Sequence, residues 1–455
     1  MEIRLFFEFL QVAIGNRETL SREISDNEWQ DIFLSLKKQA LLGVGFTAVE
    51  LLHAKGIACP LKLRMQWYAF VMQIEKRNIQ LNALCKKLTE KYGHDGLSAC
   101  ILKGQGNLLY YPDGLGVRRQ SGDIDVWGAP LPKRGEAPLP PGGGCCNGAD
   151  KDVGNAIAVQ KGKNEVDYVE YHGHRAVREY VKMQYRLKGL NTKPKACYHH
   201  IDAPDMDGVE VEVHYRPTFC RSLIRNRRMQ KWFASHTSEC MDNRISEGFA
   251  MPTVSFNVVY QMAHLFEHCF EGGIGLRQMM DYYFTLRTWH EESTPVMSAK
   301  EVMAVLRSFG MRKFAGAVMY VLHEAFENEE CLSELEMRNE KLGIERELKE
   351  MGPQADGEWS AITRNGQQLS KKYYAPWMIC EPNEKEGRKL LAEIMQGGNF
   401  GQYDTRDIAL KKGGMMKHGV WKLKRVMRLV RSYPEEALWE PVFRVYHLLW
   451  RWING

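Results

Sequence analysis

Apolar positions in the first part of the chain follow the spacing of helices. After Ser25-Asp26-Asn27, Trp29, Ile32 and Leu36 recur every three or four residues, as on the buried face of an amphipathic helix. Serine, aspartate and asparagine favour the start of such a helix. A longer stretch, from about residue 63 to 92, repeats this spacing. The sequence therefore predicts a helical region over residues 1–94.

The pattern changes to that of short strands at residue 97. The apolar run 97–102 ends at Lys103-Gly104, which predicts a strand, a tight turn and a helix, and residues 123–127 form a second strand. A helix is predicted over residues 175–187. The runs 196–202 and 209–215 flank Asp205-Met206-Asp207-Gly208, so they predict a β-hairpin.

Helical spacing returns after Pro217. Residues 256–270 and 278–288 are predicted to be paired helices joined by Gly272-Gly273-Ile274-Gly275. A second glycine-rich turn, at residues 397–401, precedes a basic helix around residues 421–431. We interpret that helix as a solvated face over a core stripe, with a membrane or nucleic-acid surface as the alternative.

Two segments have compositions that seldom pack into a core. Residues 128–164 are rich in proline and glycine and contain Cys145-Cys146, which predicts a flexible insertion. A regulatory or metal-binding role for the cysteine pair is the alternative. The charged stretch 328–358 indicates a domain boundary or an exposed helix. The predicted division of the chain is a helical region at 1–94, a core at 95–220, a helical region at 221–345 and a mostly helical region at 346–455.

Composition narrows the class of protein. A chain of 455 residues is long for one compact unit, and 44% hydrophobic and 26% charged residues are ordinary for a globular protein. The net charge of +6 suits an anionic substrate but is too small for a protein that coats nucleic acid. The eleven cysteines lack a C-x-x-C pair, and neither a signal peptide nor eighteen consecutive apolar residues occur. We therefore expect a cytoplasmic protein without a transmembrane segment, and its oligomeric state stays open.

The most informative polar residues are the carboxylates of Asp123-Ile124-Asp125. Residues two apart share a face of a strand, and like charges held this close repel unless a cation lies between them. Asp123 and Asp125 therefore predict a divalent metal ion. A third carboxylate lies in the strand 209–215, where Glu212 is assigned to the metal and Glu210 is the alternative. His214 shares that face. It either orients a carboxylate or contacts phosphate, and a structural role for the histidine is the alternative.

Three motifs together carry a resemblance to a known family. They are Leu102-Lys103-Gly104, then Arg119-Gln120-Ser121-Gly122 directly before Asp123-Ile124-Asp125, and Glu212-Val213-His214. In this combination the chain resembles the uncharacterised bacterial nucleotidyltransferase family of the DNA polymerase β-like nucleotidyltransferase superfamily. The similarity continues at His264 and His268 and into the segment that contains Gly275, Arg277 and Asp281.

The resemblance implies an α+β protein with a small mixed-sheet nucleotidyltransferase core, flanked by N- and C-terminal helical regions. It implies an enzyme that transfers a nucleoside monophosphate from an NTP to a hydroxyl or phosphate of an acceptor and releases pyrophosphate. Asp123, Asp125 and Glu212 are then the catalytic metal ligands, and such all-oxygen sites suit Mg²⁺ or Mn²⁺. The acceptor stays open among a protein, a small molecule, a sugar, a lipid headgroup and an RNA end.

The resemblance also implies nucleotide-binding residues next to the first carboxylates. Lys103 and Gly104 stand in place of the superfamily's usual Gly-Ser turn, and the lysine adds a positive charge beside backbone amides that can hold a phosphate. Arg119 is assigned to a triphosphate oxygen, with a salt bridge that steadies the Asp123 loop as the alternative. Ser121 and Gly122 belong to the same nucleotide-binding segment.

Residues 264–268 offer a competing metal motif. His264-Leu265-Phe266-Glu267-His268 matches H-x-x-E-H, in which two histidines on one helix face bind zinc in a class of peptidases. A zinc peptidase is a remote alternative, because no third ligand is evident in a downstream helix. His264 and His268, with Arg277, are assigned to the nucleotide or the acceptor. Pairing of the two histidines with Asp281 and Glu271 between helices is the structural alternative. The main alternative function is a regulator that binds nucleotide without turnover.

Overall fold

The structure is a computed structural model that describes residues 2–130, 165–292, 295–327 and 375–454. The fold begins with four helices. As predicted, the second helix begins after Ser25, whose side chain forms a capping box with Glu28. Trp67 of the long fourth helix packs against Phe9, Phe33 and Phe46. The helices are α1 (Ile3–Ala13), α2 (Asp26–Gln39), α3 (Leu42–Ala54) and α4 (Leu61–His94).

A four-stranded mixed sheet follows, as predicted. Its strands are β1 (Leu97–Ile101), β2 (Ile124–Pro130), β3 (His200–Met206) and β4 (Val209–His214). Their spatial order is β1-β2-β4-β3, with β2 and β4 parallel and the two outer pairs antiparallel. The helix α5 (Glu165–Leu187) connects β2 to β3 and shares an apolar core with one face of the sheet. The parallel pair is possible because α5 provides the crossover.

Several observed elements differ from the predictions in their bounds or in the type of helix. Strand β2 begins at Ile124, so that Asp123 directly precedes it, and it runs to Pro130, into the segment predicted as an insertion. Strand β3 begins at His200 and continues to Met206. It extends this far because Asp207 and Gly208 both have positive φ (52° and 74°), as a tight two-residue hairpin turn requires. The helix after Lys103 is a 3₁₀-helix, Gly104–Tyr110.

Helices make up most of the remaining described chain. They include the two predicted paired helices, at Val254–Glu271 and Leu276–Glu291, and the predicted basic helix, at Met415–Leu429. In chain order these helices are α6 (Leu223–Ser235), α7 (Thr237–Asp242), α8 (Val254–Glu271), α9 (Leu276–Glu291), α10 (Ala299–Ser308), α11 (Arg312–Phe326), α12 (Glu384–Gly397), α13 (Ile408–Lys411), α14 (Met415–Leu429) and α15 (Pro434–Asn454). Cys145-Cys146 and the stretch 328–358 lie outside the described residues. None of the helices in the described ranges has both the length and the apolar character that a membrane crossing requires.

Two apolar cores fix the position of the sheet. Val177 and Val181 of α5 are buried with the valines on one face of the sheet, in a core that also contains Trp450 of α15. The larger core joins the N-terminal helices to α8–α11. On the other face of the sheet, Trp127 stacks on Phe256 of α8 with ring centroids 5.5 Å apart. That face carries the polar residues described below, so α8 lies directly over them.

Candidate active site

Neighbouring parallel strands bring two of the predicted carboxylates side by side. Asp125 of β2 is paired in register with Glu212 of β4, and side chains in register on adjacent strands point to the same face. Asp123 precedes Asp125 by two positions and lies directly before the first residue of β2. The predicted alternative, Glu210, lies two residues before Glu212 on β4 and is exposed. The strand pairing therefore places Glu212 beside Asp125.

Lys103 supplies the cation closest to these carboxylates. The Leu102 amide donates a 3.0 Å hydrogen bond to the Asp125 carbonyl, which fixes the end of β1 against β2. Lys103 then directs its Nζ atom to within 2.8 Å of Asp125 Oδ1, and His214 Nε2 lies 3.0 Å from the same oxygen. Burial raises the pKa of Asp125, but the charges of Lys103 and His214 outweigh burial and hold that pKa well below its usual value.

The negative charge of Asp125 acts on both other carboxylates of the site, Asp123 and Glu212. The charge of Asp125 raises the pKa of Asp123 above its ordinary value, and burial adds to this effect. Burial also raises the pKa of Glu212, but the hydrogen bond from His214 and the charges of Lys103 and His200 together outweigh it, so that the pKa is lowered. Glu212 Oε2 lies 3.4 Å from both His214 Nε2 and His200 Nδ1. Three acids thus share one site that already attracts cationic side chains.

Histidines of β3 and β4 lie around the acids. His200 of β3 lies opposite His214 of β4, and its Nδ1 is 3.0 Å from His199 Nε2. Burial lowers the pKa of His200, but hydrogen bonding to Asp202, 3.5 Å away, and nearby negative charge raise it to about 10. Among the described residues, His200, Glu212 and His214 form one of two groups close enough to share a metal ion, and Cys197, His199 and His200 form the other.

Helix α8 covers the acids with a stripe of rings. Phe256, Tyr260, His264 and His268 recur every four residues and contact one another in sequence. His264 is buried, and burial together with the charge of Lys103 holds its pKa well below the usual value. The same two causes lower the pKa of His268 to about 3. Both imidazoles are therefore neutral at pH 7.

Glu267 on the same helix is the acid that the peptidase motif singles out. Its carboxylate accepts a hydrogen bond from the Thr218 hydroxyl and lies 3.8 Å from His199 Nε2. Burial and the charge of Glu271 raise its pKa to about 7. Neither of the candidate metal groups found in the described residues contains His264 or His268. The arrangement therefore gives no support to the zinc-peptidase alternative.

Arg119 binds a protein carboxylate. Its guanidinium donates to both oxygens of Asp281 at 2.6 and 2.7 Å, and to Ser121 Oγ at 2.8 Å. Tyr111 also donates to Asp281, at 2.6 Å. The Arg119–Asp281 pair is buried, and it anchors the loop before Asp123 to α9. The structure thus contains the salt bridge that was the alternative to phosphate binding, and Asp281 is occupied by Arg119 and Tyr111 instead of a histidine.

Arg277 reinforces this anchor. Its Nη1 donates to the carbonyl of Gln120 at 2.5 Å, and its guanidinium lies over the ring of Phe400, 5.3 Å from the centroid. Burial and the charge of Arg119 lower the pKa of Arg277 to about 10. The carbonyl of Gly122 accepts a hydrogen bond from Arg77 at 3.2 Å. Ser121, Gly122, Arg119 and Arg277 therefore position the loop from outside the cluster of acids.

Gly104 forms the predicted tight turn beside the acids. Its φ is +55°, and a Cβ atom there would lie 3.7 Å from the Asp123 carbonyl oxygen, so the left-handed conformation favours glycine. The structure brings Lys103, Gly104, Asp123, Asp125, Glu212 and His214 together beneath His264 and His268. Sequence reasoning missed the Lys103–Asp125 contact and the contribution of Asp202; the period-2 spacing of His200 and Asp202 on one strand was the available signal.

A family comparison bears on this site. Residues 166–327 match the model of a family described as uncharacterised nucleotidyltransferase. The match confirms the predicted family. The matched range contains β3, β4, α8 and α9, with Glu212, His214, His264 and His268, whereas Lys103 and the two aspartates precede it. No curated protein and no solved structure matches the chain. The family domain supports a nucleotidyl-transfer role.

Proposed function

We propose that this protein is a metal-dependent nucleotidyltransferase that transfers a nucleoside monophosphate from an NTP to an acceptor hydroxyl or phosphate. The observation that carries the proposal is the convergence of Asp123, Asp125 and Glu212 on one sheet face, with Lys103 Nζ 2.8 Å from Asp125. The family match supports the same reaction class. The acceptor stays open among proteins, small molecules, sugars, lipid headgroups and RNA ends.

The donor set fits Mg²⁺ or Mn²⁺. Carboxylate oxygens are the preferred ligands of these hard cations, and the repulsion that raises the pKa of Asp123 is relieved when a cation binds. Asp123 and Asp125 would hold both metal ions, and Glu212 would complete the site of one. When bound, the metals polarise the α-phosphate and lower the pKa of the acceptor hydroxyl.

The protein's own residues position the reactants. Lys103 places a buried ammonium group beside the metal ligands, where it meets the negative charge of a triphosphate. His264 and His268, neutral because of burial and the charge of Lys103, offer hydrogen bonds without adding charge. The acceptor oxygen forms a bond to the α-phosphorus, the bond from that phosphorus to the β-phosphate bridging oxygen breaks, and pyrophosphate leaves. Positioning and electrostatic stabilisation supply most of the acceleration in such in-line transfers.

The second candidate is a regulator that binds nucleotide without turnover. It is favoured by the observation that Lys103 and His214 both contact Asp125 Oδ1, so that the carboxylate already has two nitrogen partners within the protein. Both candidates predict NTP binding, and only the enzyme predicts pyrophosphate release. The presence of all three acids at one site favours the enzyme.

Labelled NTPs test the proposal. The protein is incubated with each α-labelled NTP, Mg²⁺ or Mn²⁺, and cell-extract fractions as the acceptor source; we expect pyrophosphate release and label transfer to one fraction. Asp125→Asn and Glu212→Gln should reduce turnover at least a hundredfold, since each removes a metal ligand. Glu210→Gln, an exposed change on the same strand, is the matched control. Metal-independent NTP binding with full activity in Asp125→Asn would refute the proposal, and binding without pyrophosphate release in any fraction would favour the regulator.

A further inference from the structure

Two glycine-rich turns pack backbone to backbone beside the candidate active site. One is Gly272–Gly275 between α8 and α9, and the other is Gly397–Gly401 after α12. A Cβ atom at Gly401 would lie 1.9 Å from the Gly272 carbonyl oxygen, and one at Gly275 would lie 2.8 Å from Asn399 Cα. Such distances exclude any side chain at either position. The two turns therefore form a fixed wall.

The wall holds Phe400 in an unusual conformation. Phe400 has φ 52° and ψ 24°, a left-handed backbone that costs a bulky residue free energy and persists only where its surroundings impose it. Its ring centroid lies 4.9 Å from that of His268, and the Arg277 guanidinium lies over the ring. The strained backbone thus places an aromatic ring at the end of the α8 stripe.

A cavity of about 430 Å³ opens at this ring. Its walls include His268, Glu271, Phe400, Gln402, His418 and Trp421. Trp421 is buried and contributes ring surface to the cavity. The side chains of Gln402 and Glu271 add hydrogen-bonding groups to the walls. The walls thus combine ring faces with hydrogen-bonding groups.

The cavity begins at His268, one helical turn along α8 from His264. His264 and His268 are four residues apart on α8, which is a rise of about 6 Å. The charges of Lys103 and Asp125 act on both imidazoles. With an α-phosphate at the acids, the ribose can span this distance and the base reaches Phe400.

We propose that the cavity bounded by His268, Phe400 and Trp421 binds the nucleobase of the NTP, with the base stacked on Phe400. This inference rests on the proposed function and adds the location of base recognition to it. Base stacking on an aromatic side chain strengthens binding by up to about a hundredfold and tolerates any base, while Gln402 and Glu271 provide the donors and acceptors that can discriminate among base edges.

The test compares an NTP with ribose 5′-triphosphate, which has the same sugar and phosphates but no base. Dissociation constants are measured by calorimetry with Mn²⁺ for the full chain and its variants. Phe400→Leu should weaken NTP binding about 5- to 100-fold, as loss of stacking predicts, and leave ribose triphosphate binding unchanged. Phe400→Tyr, which keeps a ring, should retain the affinity for NTP. Tyr403→Leu, an exposed aromatic of the same segment, is the control.

The outcomes separate the two proposals. If the unmodified protein binds neither compound, the proposed function fails. If it binds both with the same affinity, or if Phe400→Leu leaves NTP binding intact, the base lies elsewhere and this inference fails. Equal weakening of both compounds in Phe400→Leu would also overturn it, because that result indicates general damage to the site. Thermal melting of each variant establishes that it is folded. Where Phe400→Leu does not fold, the comparison of NTP with ribose 5′-triphosphate in the unmodified protein still tests base recognition.

Discussion

The Nζ atom of Lys103 lies 2.8 Å from Oδ1 of Asp125, and His214 Nε2 lies 3.0 Å from the same oxygen. One buried carboxylate oxygen therefore has two nitrogen partners. If the proposed function holds, a metal ion would need that oxygen too, so we expect Lys103 and a divalent cation to compete for Asp125. A triphosphate would offer the ammonium group other oxygens, and nucleotide binding and metal binding would then be coupled at this residue.

Replacing Lys103 by methionine should have opposite effects on Mn²⁺ binding and on NTP binding. Lys103→Met leaves Asp125 without its ammonium partner, so Mn²⁺ should bind more tightly in the absence of nucleotide and raise the melting temperature by more than it does in the unmodified protein. NTP binding should weaken roughly ten- to a hundredfold, as expected for loss of a charge-assisted hydrogen bond. Calorimetry and thermal melting measure both effects. Lys87→Met, at an exposed lysine, is the control, and weaker Mn²⁺ binding in Lys103→Met would contradict the competition.

The Arg119–Asp281 pair should behave as a structural anchor. Arg119→Met leaves the buried Asp281 carboxylate without its cation and should lower the free energy of unfolding by about 3–5 kcal/mol. The double variant Arg119→Met/Asp281→Leu should be more stable than the single one and bind NTP almost normally. Urea denaturation and NTP titration test this, with the exposed pair of Arg388 and Glu384 as the control, where Arg388→Met should change the free energy of unfolding little. An Arg119→Met protein of normal stability that no longer binds NTP would restore the phosphate-binding role.

Glu267 should make stability depend on pH. Burial and the charge of Glu271 raise its pKa to about 7 in the folded protein, above the unfolded value, so the folded state retains a proton that the unfolded state has lost. Its contribution to stability is full below the unfolded pKa and is lost as pH rises through about 7. From pH 5 to pH 8, the unmodified protein should lose about 1–3 kcal/mol of stability relative to Glu267→Gln. Denaturation at several pH values measures the difference, and Glu210→Gln should show none.

The contact between the glycine turns should be intolerant of a methyl group. Gly401→Ala adds a Cβ atom 1.9 Å from the Gly272 carbonyl oxygen at a φ of +64°, so the free energy of unfolding should fall by more than about 1 kcal/mol. Gly397→Ala, four residues earlier, meets nothing within 4 Å in a helical conformation and should be neutral or stabilising by up to about 1 kcal/mol. Thermal melting compares the two. Equal melting temperatures would show that the two glycine-rich turns can move apart to accommodate the methyl group.

Local patterns predicted most of the secondary structure. The capping residues at Ser25 located α2, and the alternation over 209–215 located β4, because both signals depend only on neighbours in sequence. The bounds of β3 were wrong since the turn was assigned four residues, whereas the positive φ angles of Asp207 and Gly208 make it shorter. The family was also recognisable from motifs, and the match over residues 166–327 confirms it.

The sequence by itself determined which side chains share a side of each strand. Period-2 spacing puts Asp123 and Asp125 on the same side of one chain segment, and Glu212 and His214 on the same side of another, whatever the rest of the chain does. Only the tertiary structure decided the partners. Arg119 and Asp281 are 162 residues apart, and Phe400 meets His268 across a comparable separation, so no local signal links them. Charges and rings attract any suitable partner, and which one they reach depends on how helices and sheet pack. The parallel pairing of β2 with β4 set Glu212 beside Asp125, and the packing of α8 on the sheet placed the histidines over them.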